Sequence, residues 1–408
     1  MAEILLTIFF ISVLLFFLGT GVWVAISMIG VSSIGMMLFT TRPVGDAMAT
    51  TIWGASSSWT LTALPLFVWM GEILFRTKLS ENLFEGLSPW MQKLPGGLIH
   101  VNVIGCALFA AISGSSAATV ATVGKMSIPE LRKRKYPENI LLGSLAGSGT
   151  LGLLIPPSII LIIYGVTVQE SIAKLFIAGI LPGIMIALIF MAYVMIWSII
   201  NKKSMPIFNK NYSFTEKVRK SGKLLPVILL IISVIGSIYT GIATATEAAS
   251  LGVVGALILS YFQKSLTIKT FKESLLGATK TSCMIAFILA GATFLSLAMG
   301  FTGLPRNLAI WIQSMELSPY VLIFVLMIFY IILGMFLDGI SAVVLTMAII
   351  EPMIRQAGFD MIWFGVFLVI VVEMAQITPP VGFNLFVLQG MANKDIGFIA
   401  RSAFPLFL

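Results

Sequence analysis

Long apolar segments recur along the whole chain and set the first constraint on its fold. The first extends from Ile4 to Phe39, the second from Ala47 to Phe75, and similar segments continue as far as Val381 to Leu388. An α-helix rises about 1.5 Å per residue, so about 20 apolar residues cross a hydrocarbon layer of about 30 Å. In composition, 58% of the residues are hydrophobic and 10% are charged, whereas about a quarter of the residues in soluble domains are charged. The sequence therefore predicts an all-α polytopic membrane protein.

Residues that commonly hold metals or cofactors are scarce. Cys106 and Cys283 both lie inside apolar segments and His100 is the single histidine, which leaves no cluster for a zinc site. We predict no cofactor and interpret both cysteines as small core residues. The first apolar segment follows an acidic flank and is too long for a signal peptide, which indicates a retained first span. The net charge of +8 is attributed to cytoplasmic loops rather than to nucleic-acid binding.

The stretch GSGTLGLLIPPS, at 147–158, combines three glycines with a proline pair. Its first six residues fit the G-x-G-x-x-G pattern of dinucleotide sites, but such sites require a preceding strand and an acid that binds the ribose. Here an apolar segment precedes the pattern, and Glu170, the acid at the required distance, falls in a loop. We predict a broken helix at 147–157 whose freed backbone groups face a cavity. Close packing of helices through small residues is the alternative interpretation.

The two halves of the chain match one another at a shift of 223 to 225 residues. SGSSA at 113–117 corresponds to DGISA at 338–342, the proline pair at 156–157 to that at 379–380, and Pro182 to Pro405. Between the halves lies NKKSMPIFNKNYSFTEKVRKSGK, with seven basic residues and one acidic residue. We predict an internal duplication, with a first repeat at 1–200, a basic cytoplasmic linker at 201–223 and a second repeat at 224–408.

The distribution of charge predicts how the repeats are oriented. Four basic loops are expected on the cytoplasmic side, at 76–93, 132–135, 202–223 and 264–280, whereas Gln169-Glu170 and the region near Glu316 are poor in Lys and Arg. A single interrupted segment separates the first two basic loops, so it must enter and leave on one side, as a re-entrant hairpin with its tip at 113–116. Its copy, with the tip at 338–341, would enter from the opposite face. Inverted-topology repeats with broken helices are typical of secondary transporters.

The last segment predicts a further helix. After Pro182 the first repeat continues as a full span, whereas after Pro405 the sequence ends at LFL. We therefore expect one more helix of about 20 residues in the natural protein.

The hairpin tips carry the chemically informative residues. ISGSSAAT, at 112–119, offers hydroxyls and turn carbonyls, hard oxygen ligands of the kind sodium prefers. Serines that bond back to helix carbonyls or join helices are the structural alternative. The second tip adds Asp338, and a carboxylate at membrane depth is costly and indicates function. The second copy also contributes Ser341, the break at 378–380 and Asn384.

Other charged residues in apolar surroundings remain ambiguous. Glu247 could cap a helix or act in gating, and Glu72 could extend to the membrane interface. Glu373 also lies in an apolar segment. Arg42, Arg306 and Arg401 are interpreted mostly as loop charges, although one of them could reach an anionic solute.

Seven segments together resemble the large membrane subunit of tripartite ATP-independent periplasmic (TRAP) transporters. They are ALPLFVWMGEIL, AAISGSSAATVATVG, GTLGLLIPPSIILIIYG, LFIAGILPG, GIATATEAASLG, GMFLDGISAVVLT and QITPPVGFNLFV. The resemblance covers nearly the whole chain and implies an elevator mechanism, with a transport domain moving against a scaffold domain. It also implies a sodium gradient, a small membrane subunit and a soluble periplasmic binding protein as partners, a bacterial or archaeal inner membrane, and a span after Leu408.

The resemblance further implies where ions and solute bind. A first sodium site would combine one tip with the glycine-rich stretch: Ser113, Gly114, Ser115, Ser116, Gly147, Ser148 and Thr150. A second would combine the other tip with its break: Asp338, Gly339, Ser341, Thr378 and Pro379. Substrate would bind between them, at Thr119, Pro156 and Asn384.

These observations favour a sodium-coupled importer of small organic acids, such as C4-dicarboxylates, sialic acid or keto acids. An ion channel would need a continuous pore, usually built from several identical subunits, and a duplicated chain with broken helices fits this poorly. No H-E-x-x-H motif and no nucleophile–base pair supports a membrane-embedded enzyme.

Overall fold

Helices account for all the regular structure in the described part of the chain. The computed structural model describes residues 2–77, 79–206, 212–303, 307, 310 and 318–408. The first repeat and linker contain α1 (Ala2–Gly19), α2 (Val24–Phe39), α3 (Val44–Ser56), α4 (Ala63–Phe75), α5 (Leu79–Met91), α6 (Ile99–Ser113), α7 (Ser116–Lys133), α8 (Glu138–Leu154), α9 (Ile159–Thr167), α10 (Ile172–Ile200) and α11 (Phe214–Ser221). The second contains α12 (Leu225–Tyr239), α13 (Ala245–Phe262), α14 (Ile268–Thr302), α15 (Pro319–Gly334), α16 (Gly339–Gln356), α17 (Met361–Gln376), α18 (Phe383–Ala392) and α19 (Ile396–Phe407). The all-α prediction is confirmed; Arg306 and the region near Glu316 lie outside the described residues.

Several helices are long and apolar enough to span a membrane. Among the described residues, α10, α13, α14 and α16 qualify singly, and three bent helix pairs raise the number to as many as 7. On α10 the side chains of Leu181, Ile184 and Leu188 are exposed although apolar, as expected where lipid covers a helix. The prediction of a multi-span membrane protein is confirmed.

Both predicted hairpins form. Helices α6 and α7 meet at Gly114, which has φ +57° and leaves no space for a side chain, because a Cβ there would lie 2.8 Å from the carbonyl oxygen of Pro157. Helices α15 and α16 meet at Asp338, whose carboxylate caps α16 by accepting from the backbone N–H groups of Ile340 and Ser341 at 3.1 and 3.2 Å. Local sequence thus sets both tips, through a glycine in one repeat and an N-cap in the other.

The break in the first repeat is shorter than the sequence predicts. Helix α8 continues through Gly147, Ser148 and Thr150 to Leu154, and only 155–158 separates it from α9, at a bend of 40°. The glycines allow close packing instead: a Cβ at Gly152 would lie 2.6 Å from the carbonyl oxygen of Ser115. The alternative interpretation of this stretch, small residues between packed helices, therefore describes it correctly.

The two hairpins enter from opposite faces. Both tips, at 113–116 and 338–340, line one cavity, which Leu153 and Ile159 also reach. From there α7 runs to Arg132, which pairs with Glu138 at the start of α8. Helix α8 returns to the cavity, and α9 continues beyond it to Val168. The carbonyl oxygen of Val168 accepts a hydrogen bond from Arg355, which lies at the end of α16 remote from the second tip. Because α8 and α9 cross from one hairpin base to the other, the re-entrant hairpins have inverted orientations, as predicted.

Two arginines join the repeats reciprocally. Arg132 Nη2 donates to the carbonyl oxygen of Ala392, at the end of α18, at 2.7 Å. Arg355 Nη2 donates to the carbonyl oxygen of Val168, at the end of α9, at 3.1 Å. The arginines are 223 residues apart (355 − 132), so each repeat caps the second half of the other's broken helix. A cation is favourable at a helix C-terminus, where carbonyls lack partners.

Helices α2, α3, α4, α13 and α14 pack together beside the hairpins. Here Glu247 forms a capping box with Thr244 at the start of α13, and a helix-capping role is therefore observed. Glu72 forms an ion pair with Arg76, one helical turn later, and faces α14, where a Cβ at Gly277 would lie 2.6 Å from Glu72 Oε2.

Candidate solute and cation site

A cavity of about 650 Å³ lies between the hairpin tips and the neighbouring helices. The tips form one wall, while Glu72 of α4 and Thr281 and Met284 of α14 contribute to the other. We call this the tip cavity. A second cavity of about 670 Å³ lies further along α14, at Leu289 and Thr293. The tip cavity is on the side of the basic end of α14, which carries Lys269, Lys272 and Lys280.

The first tip is held by a small hydroxyl network. The hydroxyl oxygens of Ser113 and Thr119 are 2.9 Å apart, and Thr119 donates to the carbonyl oxygen of Ser115 at 2.8 Å. The Ser115 hydroxyl caps α7 by accepting from the N–H of Ala118 at 3.5 Å. The backbone of the tip is bonded to the break of its own repeat, since the N–H of Ile159 donates to the Gly114 carbonyl at 3.4 Å. Three hydroxyl groups and two backbone carbonyl groups thus lie together at the first tip.

The predicted substrate residues lie behind the cavity wall. Thr119 belongs to the network of the first tip. Asn384 is fully buried, accepts from the Ser116 hydroxyl at 2.8 Å and approaches the Ala146 carbonyl at 3.5 Å. Pro156 packs towards α10, where its ring is 3.5 Å from the position of a Cβ at Gly179. Thr119 and Asn384 therefore contact the first tip, whereas Pro156 packs against α10.

The second tip places Asp338 at the cavity surface. Its side chain is exposed and it lines the cavity together with Gly339, whereas Ser341 is buried. The predicted partners in the second break do not reach the wall: Thr378 donates to the Met374 carbonyl at 2.8 Å and Pro379 follows it. The break contacts the tip through the backbone, since the N–H of Val381 donates to the Met335 carbonyl at 3.2 Å.

Three predicted sodium ligands lie on α8 and differ in whether they have a side-chain oxygen that is free to bind a cation. Gly147 packs against Leu406, and Thr150 donates to the Gly147 carbonyl at 2.7 Å. Ser148 is fully buried, and its hydroxyl has no partner among the described residues. Of these three, Ser148 therefore offers a side-chain oxygen that is not already engaged.

The electrostatics of the tip cavity favour a cation. Its described lining contains two carboxylates, Glu72 and Asp338, and no lysine, arginine or histidine. Arg76, outside the lining, balances Glu72. Asp338 is therefore the uncompensated charge, apart from the partial positive charge at the N-termini of α7 and α16.

Two residues of α17 were not assigned roles from the sequence. Glu373 is buried and accepts from the N–H of Leu153 at 3.1 Å. Gln376 is also buried, lines the cavity, and its carboxamide nitrogen has no partner among the described residues. At the shift of 223 set by the neighbouring proline pairs they correspond to Thr150 and Leu153 (150 + 223 = 373; 153 + 223 = 376). A carboxamide in one repeat where the other has leucine is a signal that could have found Gln376.

A family model described as "Tripartite ATP-independent periplasmic transporter, DctM component" matches residues 11–408. The chain belongs to this family. It is 32% identical over 371 residues to the C4-dicarboxylate TRAP transporter large permease protein DctM of Pseudomonas aeruginosa, covering 91% of this chain and 86% of that protein. It is also 32% identical over 368 residues to the 2,3-diketo-L-gulonate TRAP transporter large permease protein YiaN of Escherichia coli, covering 88% and 84%.

Two further similarities extend this result. The isethionate TRAP transporter permease protein DctMQ of Oleidesulfovibrio alaskensis is 31% identical over 394 residues, covering 96% of this chain and 61% of that longer protein. The crystal structure of the Alcanivorax borkumensis YdaH transporter has a TM-score of 0.67 at 11% identity and covers 94% of both chains, so the fold is shared. The resemblance to TRAP large subunits is confirmed, and this DctM component is a transporter permease rather than an enzyme.

Proposed function

We propose that the chain is the permease of a sodium-coupled importer of small organic acids. The names of its relatives refer to C4-dicarboxylates, isethionate and 2,3-diketo-L-gulonate. These compounds are small, polar and acidic, and they differ in whether the acid is a carboxylate or a sulfonate. A small organic anion is the substrate class that they have in common.

The negative charge of the tip cavity is the observation that supports sodium coupling. An organic anion entering it meets Asp338 and no basic side chain in the described lining. At an effective dielectric constant of about 20, two like charges about 4 Å apart repel by about 4 kcal/mol. A co-bound cation removes this cost, and a ligand shifts a transporter's equilibrium only through such differential affinity.

The proposed sodium sites lie at the two hairpin tips. The first is proposed at the Ser113, Ser115 and Thr119 network, with the adjoining Gly114 and Ser116 and, from α8, the unpartnered Ser148 hydroxyl. The second is proposed at Asp338, whose Oδ2 caps α16 while Oδ1 is available. The backbone N–H groups of Ile340 and Ser341 would hold that carboxylate in place, next to Gly339.

The reciprocal arginine caps support an elevator mechanism. They tie both hairpins and both broken helices together, so we propose that these elements move as one transport domain. Helices α2, α3, α4, α13 and α14 would form the scaffold. The tip cavity lies on the side of the lysine-rich end of α14, which is cytoplasmic by the positive-inside rule.

The partners proposed for this permease follow from its family. A small membrane subunit would associate with it in the bacterial or archaeal inner membrane, and a soluble periplasmic protein would deliver the solute. The fused name DctMQ of one relative supports a companion membrane subunit.

Uptake into proteoliposomes tests this proposal. The chain and its small subunit would be reconstituted, the binding protein added outside, and labelled succinate and isethionate supplied under an inward sodium or potassium gradient. We expect a probe to accumulate under the sodium gradient but not under the potassium gradient, and we expect a sodium ionophore to abolish this accumulation. Equal flux under both gradients would contradict sodium coupling, and liposomes with the small subunit alone are the control.

A further inference from the structure

We propose that the carboxamide of Gln376 donates a hydrogen bond to the acid group of the transported solute. The inference rests on the proposed function and assigns a solute contact within the tip cavity. Gln376 is the last residue of α17, directly before the second helix break. Its side chain reaches the cavity wall beside Leu153 and Gly339.

Gln376 lines the cavity and carries a buried, unsatisfied donor. The residue is 3% exposed, and its Nε2 has no hydrogen-bond partner among the described residues. Buried polar groups are rarely left in this state, because the loss of water costs about 1–3 kcal/mol. The terminal torsion of glutamine is broad and roughly two-fold, so the amide group can turn its N–H donors towards a ligand.

Three of the four hydroxyl groups at the first tip, all except that of Ser115, donate to protein acceptors. Ser116 donates to Asn384, Thr119 donates to the Ser115 carbonyl, and Ser113 approaches the same carbonyl at 3.3 Å. These groups present oxygen lone pairs to the cavity, which suits a cation. Gln376 presents a neutral donor, which suits an anion in a cavity whose described lining has no basic side chain.

The two repeats differ at this position in a way that separates the two roles. At the shift of 223 set by the neighbouring proline pairs, Gln376 corresponds to Leu153 (153 + 223 = 376), which also lines the cavity. The first repeat therefore places an apolar side chain at the cavity where the second repeat places a carboxamide. We infer that the solute's acid group binds on the Gln376 side and that sodium binds nearer the first tip.

Kinetic analysis of Gln376 variants tests the inference in the full chain with its small subunit and binding protein. Labelled succinate and isethionate would serve as probes. Loss of a hydrogen bond to a charged group predicts a rise in KM of about 10- to 100-fold for Gln376→Ala. Gln376→Glu should raise KM further, because it adds a carboxylate. Gln376→Met keeps the volume of the side chain but removes the donor, so it should raise KM in the same way even if the alanine variant fails to fold.

Two readouts separate solute contact from a structural role. Sodium binding measured without solute should be unchanged in the variants, whereas general damage to the site would weaken it too. Gln263→Leu is the matched control: its amide oxygen is also buried without a partner, but it lies at the end of α13 and outside the cavity lining. Its KM should equal that of the wild type.

The outcomes are distinct. If the wild type accumulates a probe under a sodium gradient and Gln376→Met and Gln376→Glu keep its KM, the inference is overturned and the proposed function stands. If the wild type accumulates neither probe, the proposed function fails and the inference fails with it.

Discussion

Removal of the two arginine caps should destabilise the protein to different extents. Arg132 donates to the Ala392 carbonyl at 2.7 Å and makes two hydrogen bonds to Glu138, at 2.7 and 2.9 Å. Arg355 donates to the Val168 carbonyl at 3.1 Å and to Glu351 at 2.9 Å. The side chain of Arg132 is 34% exposed and that of Arg355 is 46% exposed. The shorter and less hydrated contacts of Arg132 should therefore contribute more to the free energy of unfolding than those of Arg355.

The expected magnitudes follow from these contacts. A hydrogen bond to a charged group contributes about 1.5–3 kcal/mol, while a partly exposed ion pair contributes up to about 1 kcal/mol. We predict that Arg132→Ala lowers the free energy of unfolding by about 2–3 kcal/mol and Arg355→Ala by about 1.5 kcal/mol. Arg132→Lys should recover less than half of the loss, because an ammonium group cannot form the two-pronged contact with Glu138.

Thermal unfolding of the detergent-solubilised protein, followed at one heating rate, measures the ranking. Lys133→Ala, which removes an exposed neighbouring charge, is the control and should leave the midpoint unchanged. The arginines lie at opposite faces, so the losses in the double variant should add. An unchanged midpoint for Arg132→Ala, or a larger fall for Arg355→Ala, would refute the assignment of Arg132 as the stronger cap.

Three further predictions concern the tips and the buried acid. Gly114→Ala should abolish uptake, because its Cβ would lie 2.8 Å from the Pro157 carbonyl at a φ of +57°; wild-type uptake in a folded variant would disprove this. Asp338→Asn should retain expression, because the amide oxygen can still cap α16, but should reduce sodium activation of uptake; a sodium response equal to that of the wild type would count against the second sodium site. Glu373→Gln should keep a folded, active protein, whereas Glu373→Leu, which removes the oxygen that accepts from the Leu153 N–H, should cost about 1–3 kcal/mol; equal thermal midpoints for the two variants would exclude this role.

The parts of the fold that local sequence determines were predictable. Gly114 and Asp338 mark hairpin tips because a left-handed turn and an N-cap each require particular residue types. The tips correspond at a separation of 225 residues (338 − 113) and the proline pairs at 223 (379 − 156), so one observation supported the other. The inverted orientation then followed from the distribution of basic loops.

The extent of the first break was not predictable for a physical reason. A glycine favours an unwound helix and close helix packing equally well, and the choice depends on neighbours remote in sequence. Gly143 shows this, since a Cβ there would lie 2.2 Å from the carbonyl oxygen of Ser402, in the other repeat. The contacts of Ser402 with α8 cannot be deduced from either segment alone.

The polar residues behind the site show the same limit. Arg132 was interpreted as a loop charge that indicates topology, and its contact with Ala392 spans 260 residues. Asn384 was expected to meet solute, but it bonds to Ser116 across 268 residues. The sequence identified chemically suitable residues, while the packing of the repeats determined whether they line the cavity or support its wall.

Direct binding of radioactive sodium to the purified permease with its small subunit is the most direct test of a sodium site at the hairpin tips. The measurement compares the wild type with Ser113→Ala and Thr119→Val, which remove the two hydroxyls that lie 2.9 Å apart, and with Thr279→Ala, an exposed hydroxyl on α14, as the control. We predict saturable sodium binding in the wild type and the control, and at least about 10-fold weaker affinity in the two tip variants for the sodium ion bound at the first tip, with the ion at Asp338 retained. Equal sodium affinity in all four proteins, or no saturable binding in the wild type, would contradict a sodium site at the first tip.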